Sequence, residues 1–132
     1  MEQTGAKRRI LVIEDEREIS LILRMRLEAC GYEVIEAFDG QEGLRQAKSC
    51  SPDLILLDLI LPKVAGTQIL DELKGSEKYK RIPVIIVTGL SQDTYSIKEC
   101  IEKADGYFLK PFDSIELMAT IADFLKDHKR ET

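Results

Sequence analysis

The chain has 132 residues, of which 44% are hydrophobic and 33% charged, a composition typical of one soluble globular domain. The formal net charge of −5 argues against general nucleic-acid binding, which needs a basic face to neutralise phosphates. No apolar run approaches the roughly 18 residues of a membrane span, and the N-terminus lacks the pattern of a secretory signal. We therefore expect a cytoplasmic protein with a single domain over residues 1–132 and a core over about residues 9–126.

The cysteines and the histidine give no sign of a disulfide framework or a zinc site. Cys30, Cys50 and Cys100 are far apart and form no CxxC or Cys/His spacing, so we expect reduced thiols at helix ends or faces. His128 lies in a charged tail, KDHKRET, where we expect it to be solvated.

Five short apolar runs alternate with amphipathic stretches along the chain. The runs are rich in β-branched residues and nearly continuous, which is typical of strands covered on both faces. The predicted strands are RILVIE (9–14), YEVIEA (32–37), DLILLD (53–58), IPVIIV (82–87) and GYFL (106–109). Strictly alternating strands and helices predict an α/β fold, with a parallel sheet, right-handed crossovers and helices on both faces.

The amphipathic stretches place apolar residues three or four apart, as on one face of a helix. Gly31 is a predicted helix stop, Asp39 is a predicted N-cap, and Asp113 or Ser114 caps the last helix. The residues expected to face the core are Ile19, Ile22, Leu23, Leu27 and Cys30 in the first helix, Leu44 and Ala47 in the second, Ile69, Leu70 and Leu73 in the third, Ile97 and Ile101 in the fourth, and Ile115, Met118, Ala122 and Leu125 in the fifth.

Asp58 interrupts the apolar stretch DLILLDLILP, although burying a carboxylate without a partner costs several kcal/mol, roughly. Other polar residues end the neighbouring strands: the first strand ends in Glu14 and Asp15, the fourth in Thr88, and the fifth in Lys110. In parallel sheets, ligands bind at this edge, where the carboxyl ends of the strands meet.

Three carboxylates at one sheet edge repel one another unless a cation lies between them. Mg²⁺ prefers a few carboxylates together with carbonyl oxygens and waters. A metal, a nucleophilic carboxylate, a Lys ammonium and a Thr hydroxyl are together the groups that phosphoryl transfer requires.

At these positions the sequence resembles the receiver domain of bacterial two-component response regulators, from about Arg9 to Leu125. The matching motifs are VIEDE, LLDLILPKVAG, VTG and YFLKPF, in the family's order and spacing. The resemblance implies a doubly wound, flavodoxin-like sheet of strand order 2-1-3-4-5 with five helices, forming a phosphorylation-dependent signalling switch rather than a metabolic enzyme.

The resemblance also implies a role for each matched residue. Asp58 is the expected phosphoacceptor, which takes a phosphoryl group from a phosphohistidine on a histidine kinase or phosphotransfer domain. Asp15, Asp58 and the backbone carbonyl of Ile60 are expected to bind Mg²⁺ directly, and Glu14 through water. Lys110 is expected to pair with the phosphoryl oxygens, and its bond to the following proline is expected to be cis.

Thr88 and Tyr107 are the expected switch residues: Thr88 closes on the phosphoryl group and Tyr107 moves inward with it. Lys103 and Gly106 depart from the residues common in the family, and both belong to the surface of the fourth helix, fifth strand and fifth helix, where an unknown output partner is expected. We expect either a stand-alone receiver or a receiver cut from a longer chain.

Three alternatives remain open from the sequence. A flavodoxin-like FMN protein needs a hydroxyl- and Gly-rich phosphate loop, where this chain has EDERE. A Mg²⁺-dependent phosphohydrolase of the haloacid-dehalogenase type needs a second Asp where this chain has Ile60. A degenerate receiver that acts only as a binding module is disfavoured because no catalytic-type residue is missing.

Overall fold

We describe the protein from a computed structural model, which covers residues 7–90 and 95–127. His128, and the start of the fourth predicted helix at Asp93, lie outside the described residues. The elements are β1 (Arg9–Ile13), α1 (Arg17–Ala29), β2 (Glu33–Ala37), α2 (Gly40–Ser49), β3 (Leu54–Leu57), α3 (Gly66–Lys74), β4 (Val84–Thr88), α4 (Tyr95–Lys103), β5 (Gly106–Leu109) and α5 (Ser114–Asp127).

The strands form one parallel sheet of order β2-β1-β3-β4-β5, which confirms the predicted fold. The inner strands β1, β3 and β4 are buried at every position except Arg9, the first residue of β1. The edge strands β2 and β5 are only partly buried. Both edge strands still contribute side chains to each face, with Ile35 and Tyr107 on one and Val34 and Phe108 on the other, so the expected cover on both faces is present there but less complete.

Apolar side chains pack on both faces of the sheet. Alternate residues of the strands face α2, α3 and α4 on one side, and α1 and α5 on the other. Among the described residues, none of the helices is long and apolar enough to cross a membrane.

Two of the predicted helix faces need correction. In α1 the core residues are Leu23 and Leu27, with Ile19 packed against them, whereas Ile22 and Cys30 are exposed. In α5 the core residues are spaced by four, and the predicted Ile115 and Ala122 are exposed. The observed core residues of α5 are Leu117, Ile121 and Leu125. The rest of each predicted stripe is confirmed, because Leu23, Leu27 and Leu125 are core residues, so the errors are residues added at the margin of the buried face.

The predicted caps and stops are confirmed. The Asp39 carboxylate accepts a hydrogen bond from the Glu42 amide at the start of α2, and the Asp113 carboxylate accepts from two amides at the start of α5. Gly31, with a φ of +94°, ends α1 in a conformation that L side chains rarely adopt. All three cysteines are free thiols.

Candidate functional site

The register of β1 and β3 places two of the candidate carboxylates side by side. Ile13 is opposite Leu57, so the residues that follow them, Glu14 and Asp58, leave neighbouring strands at the same level. The Asp58 amide donates to the carbonyl of Ile13 over 3.0 Å, which continues the ladder to the strand end.

The register of β4 and β5 brings the remaining candidates to the same edge. Thr88 is opposite Leu109, and the amide of Lys110 donates to the Thr88 carbonyl over 2.8 Å. The Lys110–Pro111 peptide bond is cis, as the family resemblance implies.

Glu14, Asp15 and Asp58 form an acidic cluster in which one carboxylate oxygen from each residue lies within 4.8 Å of the others. Glu14 is 2% exposed and Asp58 6%, while Asp15 faces solvent. Carboxylates this close disfavour one another's charge, and hard oxygen donors of this kind are the ligands that Mg²⁺ prefers. The donor set therefore fits a divalent cation.

The ammonium of Lys110 lies among these carboxylates. It is 2.6 Å from Glu14, 3.0 Å from Asp58 and 3.4 Å from Glu16. Burial alone would lower the pKa of Lys110, but the hydrogen bonds and charges of Glu14 and Asp58 outweigh it and raise the pKa to about 12. Lys110 is therefore a fixed positive charge at the mouth of the site.

Glu14 responds to the same burial in the opposite sense. Removal from water raises the pKa of Glu14, and the hydrogen bond from Lys110 partly offsets this effect. The backbone amide of Glu16 also donates to the Glu14 carboxylate, over 3.1 Å. Lys110 therefore offsets part of the unfavourable effect of burial on the charged form of Glu14.

The two oxygens of Asp58 have different partners. Lys110 donates to Oδ2, whereas the backbone amide of Ile60 donates to Oδ1 over 3.2 Å. The side chain of Ile60 is 57% exposed next to this carboxylate. An apolar side chain therefore lies beside the approach from solvent to Asp58.

Thr88 and Tyr107 meet at the backbone of Leu90 rather than at the carboxylates. Thr88 is completely buried, and its hydroxyl oxygen accepts a hydrogen bond from the Leu90 amide over 3.5 Å. The Tyr107 hydroxyl donates to the Leu90 carbonyl over 2.6 Å, and its partly buried ring packs against the core. These contacts connect the end of β4 with β5.

The sequence profile of the response regulator receiver domain matches residues 10–122. The chain belongs to this family. Among curated relatives, the chain is 41% identical over 118 residues to the DNA-binding dual master transcriptional regulator RpaA from Synechocystis. That match covers 89% of this chain and 49% of the relative, and the chain spans about half the length of the first curated relatives it matches.

Solved receiver structures have the same fold. A CheY-like receiver domain from Methanospirillum hungatei superposes with a TM-score of 0.86 at 28% identity, over 96% of this chain and 100% of that one. The response regulator TrrA from Thermotoga maritima, solved in complex with Mg²⁺–BeF, gives a TM-score of 0.80 at 32% identity, over 89% of this chain and 99% of that one.

Sequence reasoning missed two contacts of this receiver domain. Glu16, the third acid of EDE, pairs with Lys110, and the run of acids was the available signal. Nothing in the sequence indicated the hydrogen bond from Tyr107 to the Leu90 carbonyl, because every residue has a backbone carbonyl. Of the two departures from the family, Lys103 forms a surface ion pair with Asp71 of α3 at 2.7 Å.

Proposed function

We propose that this receiver domain accepts a phosphoryl group on Asp58, with Mg²⁺ bound by Glu14, Asp15, Asp58 and the backbone carbonyl of Ile60. The observation that supports this most strongly is the convergence of the carboxylates of Glu14, Asp15 and Asp58 with the ammonium of Lys110 at one sheet edge. Phosphorylation then changes the surface that an output partner reads.

The proposed reaction forms one bond and breaks one. A carboxylate oxygen of Asp58 attacks phosphorus, and the bond from phosphorus to the donor's histidine nitrogen breaks, with its electron pair staying on nitrogen. Charge on the phosphoryl oxygens is neutralised by Lys110, which lies 3.0 Å from the attacking carboxylate, and the proposed role of Thr88 is to move from its contact with Leu90 and hydrogen-bond the product. Mg²⁺ held by Asp15, Asp58 and the Ile60 carbonyl would supply further positive charge beside Asp58.

Support for magnesium comes from the donor set and from neighbours. The TrrA structure contains Mg²⁺, and so does a receiver domain of the sensor kinase PA1611 from Pseudomonas aeruginosa, which is 27% identical to this chain. In this chain, Asp15 and Asp58 are the proposed direct ligands, and Glu14 acts through water. Self-catalysed phosphorylation and dephosphorylation are part of the proposal.

The phosphoryl donor is proposed to be a phosphohistidine on a sensor kinase or phosphotransfer domain, in the cytoplasm. A groove of about 450 Å³ that includes Lys110, Pro111 and Phe112 adjoins the site. It continues between α1 and α5 to exposed apolar side chains, with Met25 60% and Ile115 81% exposed. A donor docked along this groove has its phosphohistidine next to Asp58.

The alternatives from the sequence are weaker in the structure. A phosphohydrolase of the dehalogenase type has no second Asp here, because Ile60 occupies that position and its apolar side chain faces solvent. A degenerate binding module does not need a buried Asp58 held by both Lys110 and the Ile60 amide. Phosphoryl acceptance uses the Asp58 carboxylate and its contacts with Lys110 and the Ile60 amide.

Intact-mass measurement tests the proposed function. Wild-type protein incubated with Mg²⁺ and acetyl phosphate is expected to gain the mass of one phosphoryl group. Asp58→Asn, and wild type with the metal chelated, should gain none. A wild-type protein whose mass does not change would overturn the proposal.

A further inference from the structure

The loop from Leu59 to Ala65 follows Asp58 directly and has an unusual turn. The Val64 amide donates to the carbonyl of Pro62 over 2.9 Å, across Lys63, whose φ is +73°. Three-residue turns with a positive φ at the central residue are rare and strained for residues other than glycine. Such a conformation persists only where contacts from outside the turn hold it.

Those contacts come from the first turn of α2. The Gly40 amide donates to the carbonyl of Pro62 over 2.9 Å, and the Lys63 ammonium lies 3.5 Å from the carboxylate of Asp39. A Cβ atom on Gly40 would lie 1.7 Å from the carbonyl oxygen of Val64, so no side chain fits there. The loop therefore rests directly on the backbone of α2.

The same loop is tied to Asp58 at its other side. The Ile60 amide donates to the Asp58 carboxylate, and the Gly66 amide donates to the Leu59 carbonyl over 3.1 Å. A Cβ atom on Gly66 would lie 2.3 Å from the carbonyl oxygen of Asp58. A displacement of the turn is thus transmitted to Ile60 and to the carboxylate that is proposed to take the phosphoryl group.

We propose that Asp39 and Gly40 are positioning residues, which hold the turn at Lys63 so that the loop after Asp58 keeps the shape needed for Mg²⁺ binding and phosphorylation. This inference rests on the proposed function and deepens it. Neither residue is a proposed metal ligand, so their effect passes through the loop. Supporting contacts of this kind determine how accurately a site is held.

Two variants distinguish the proposed positioning of the loop after Asp58 from a purely electrostatic effect on Mg²⁺ binding. Gly40→Ala should displace Val64 and weaken Mg²⁺ binding tenfold or more, as measured by isothermal titration calorimetry. Lys63→Gln removes the ion pair and should weaken Mg²⁺ binding two- to threefold. Electrostatics alone predicts the opposite for Lys63→Gln, because losing a positive charge near the acids should strengthen the binding of a cation.

A matched control tests whether lower stability alone weakens Mg²⁺ binding. Leu27→Ala opens a cavity on the other face of the sheet, so it should unfold more easily and yet bind Mg²⁺ like the wild type. In amide NMR spectra, the resonances of Ile60 and Val64 should shift in Gly40→Ala and stay at their wild-type positions in Leu27→Ala.

The outcomes distinguish this inference from the function on which it rests. Wild-type Mg²⁺ binding that is unaffected by Gly40→Ala, or strengthened by Lys63→Gln, would overturn the positioning role and leave the phosphoacceptor proposal standing. A wild type that neither binds Mg²⁺ nor accepts a phosphoryl group would overturn both.

Discussion

Lys110 supplies the positive charge that the acidic cluster needs before any metal binds. Lys110→Met leaves Glu14 and Asp58 buried without their common partner, so the free energy of unfolding should fall by about 2–4 kcal/mol. Urea denaturation of the metal-free protein measures this. Lys103→Met is the control, because its ion pair with Asp71 is on the surface, where solvent screens it, and its loss should have little effect on the free energy of unfolding. Equally small losses in both variants would contradict the role given to Lys110.

The pKa of Lys110 sets the pH range of this stabilisation. Its folded-state pKa is raised from 10.5 to about 12, so the ammonium stabilises the fold fully below pH 10.5, and this contribution disappears as the pH rises through 12. The stability gap between wild type and Lys110→Met should therefore narrow by about 2 kcal/mol across that range. If the difference in unfolding free energy between the two proteins stays constant up to pH 12, the charge of Lys110 is not the source of the stabilisation.

Ile60 and Leu90 are expected to control how long a phosphorylated Asp58 lasts. By resemblance, both flank the path of the water that hydrolyses the aspartyl phosphate, and apolar side chains cannot orient that water. Ile60→Asn combined with Leu90→Glu should speed phosphate release tenfold or more, a barrier change of about 1.4 kcal/mol. Phosphate release from the purified phosphoprotein measures this, and an unchanged rate would exclude water access as the control.

The two positions differ in the structure, which adds a control within the pair. Ile60 is largely exposed, whereas Leu90 packs against the core, so Leu90→Glu also disturbs packing. Ile60→Asn alone should therefore give a clear acceleration without loss of stability.

At the scale of elements, β4 and β5 connect the site to the surface of α4, β5 and α5. Thr88 and Tyr107 both bond to Leu90, so a movement of Thr88 towards a phosphoryl group is expected to disturb the hydrogen bond of Tyr107. Thr88→Ala should still accept a phosphoryl group but show smaller shifts around Tyr107 and α5. Amide NMR before and after phosphorylation tests this, and identical shifts in both proteins would refute the coupling.

The elements also show what the sequence can and cannot predict. Strands were located within about two residues, because their apolar runs are continuous and separated by caps and turns. The core faces of α1 and α5 were partly wrong, since apolar residues there form two adjacent stripes, and periodicity alone does not say which one is buried. The misplaced Ile22 and Ile115 instead belong to the groove between these helices.

The turn at Lys63 was not predicted for a different reason. A positive φ is usually signalled by glycine or asparagine, and lysine gives no such signal. The meeting of the candidate residues at the strand ends was easier to predict, because alternation of strands and helices brings the carboxyl ends of parallel strands to one edge.

At the scale of the molecule, the exposed groove between α1 and α5 is the proposed approach for the phosphohistidine donor. Ile115→Asp places a charge in this apolar groove, away from the carboxylates, and should slow transfer from a phosphohistidine domain about tenfold or more. Phosphorylation by acetyl phosphate, which needs no docking surface, should be unchanged. Equal effects on both donors would show that the substitution acts on the site itself.

The account as a whole depends on which of three neighbouring carboxylates receives the phosphoryl group. Glu14, Asp15 and Asp58 lie within 4.8 Å of one another, so a gain in intact mass alone does not separate them. Borohydride reduces an aspartyl phosphate to homoserine, and peptide mass spectrometry then locates the modified residue. We predict homoserine at residue 58 only, in samples phosphorylated with Mg²⁺ present. Modification at Asp15 or Glu14, or none at residue 58, would contradict the account.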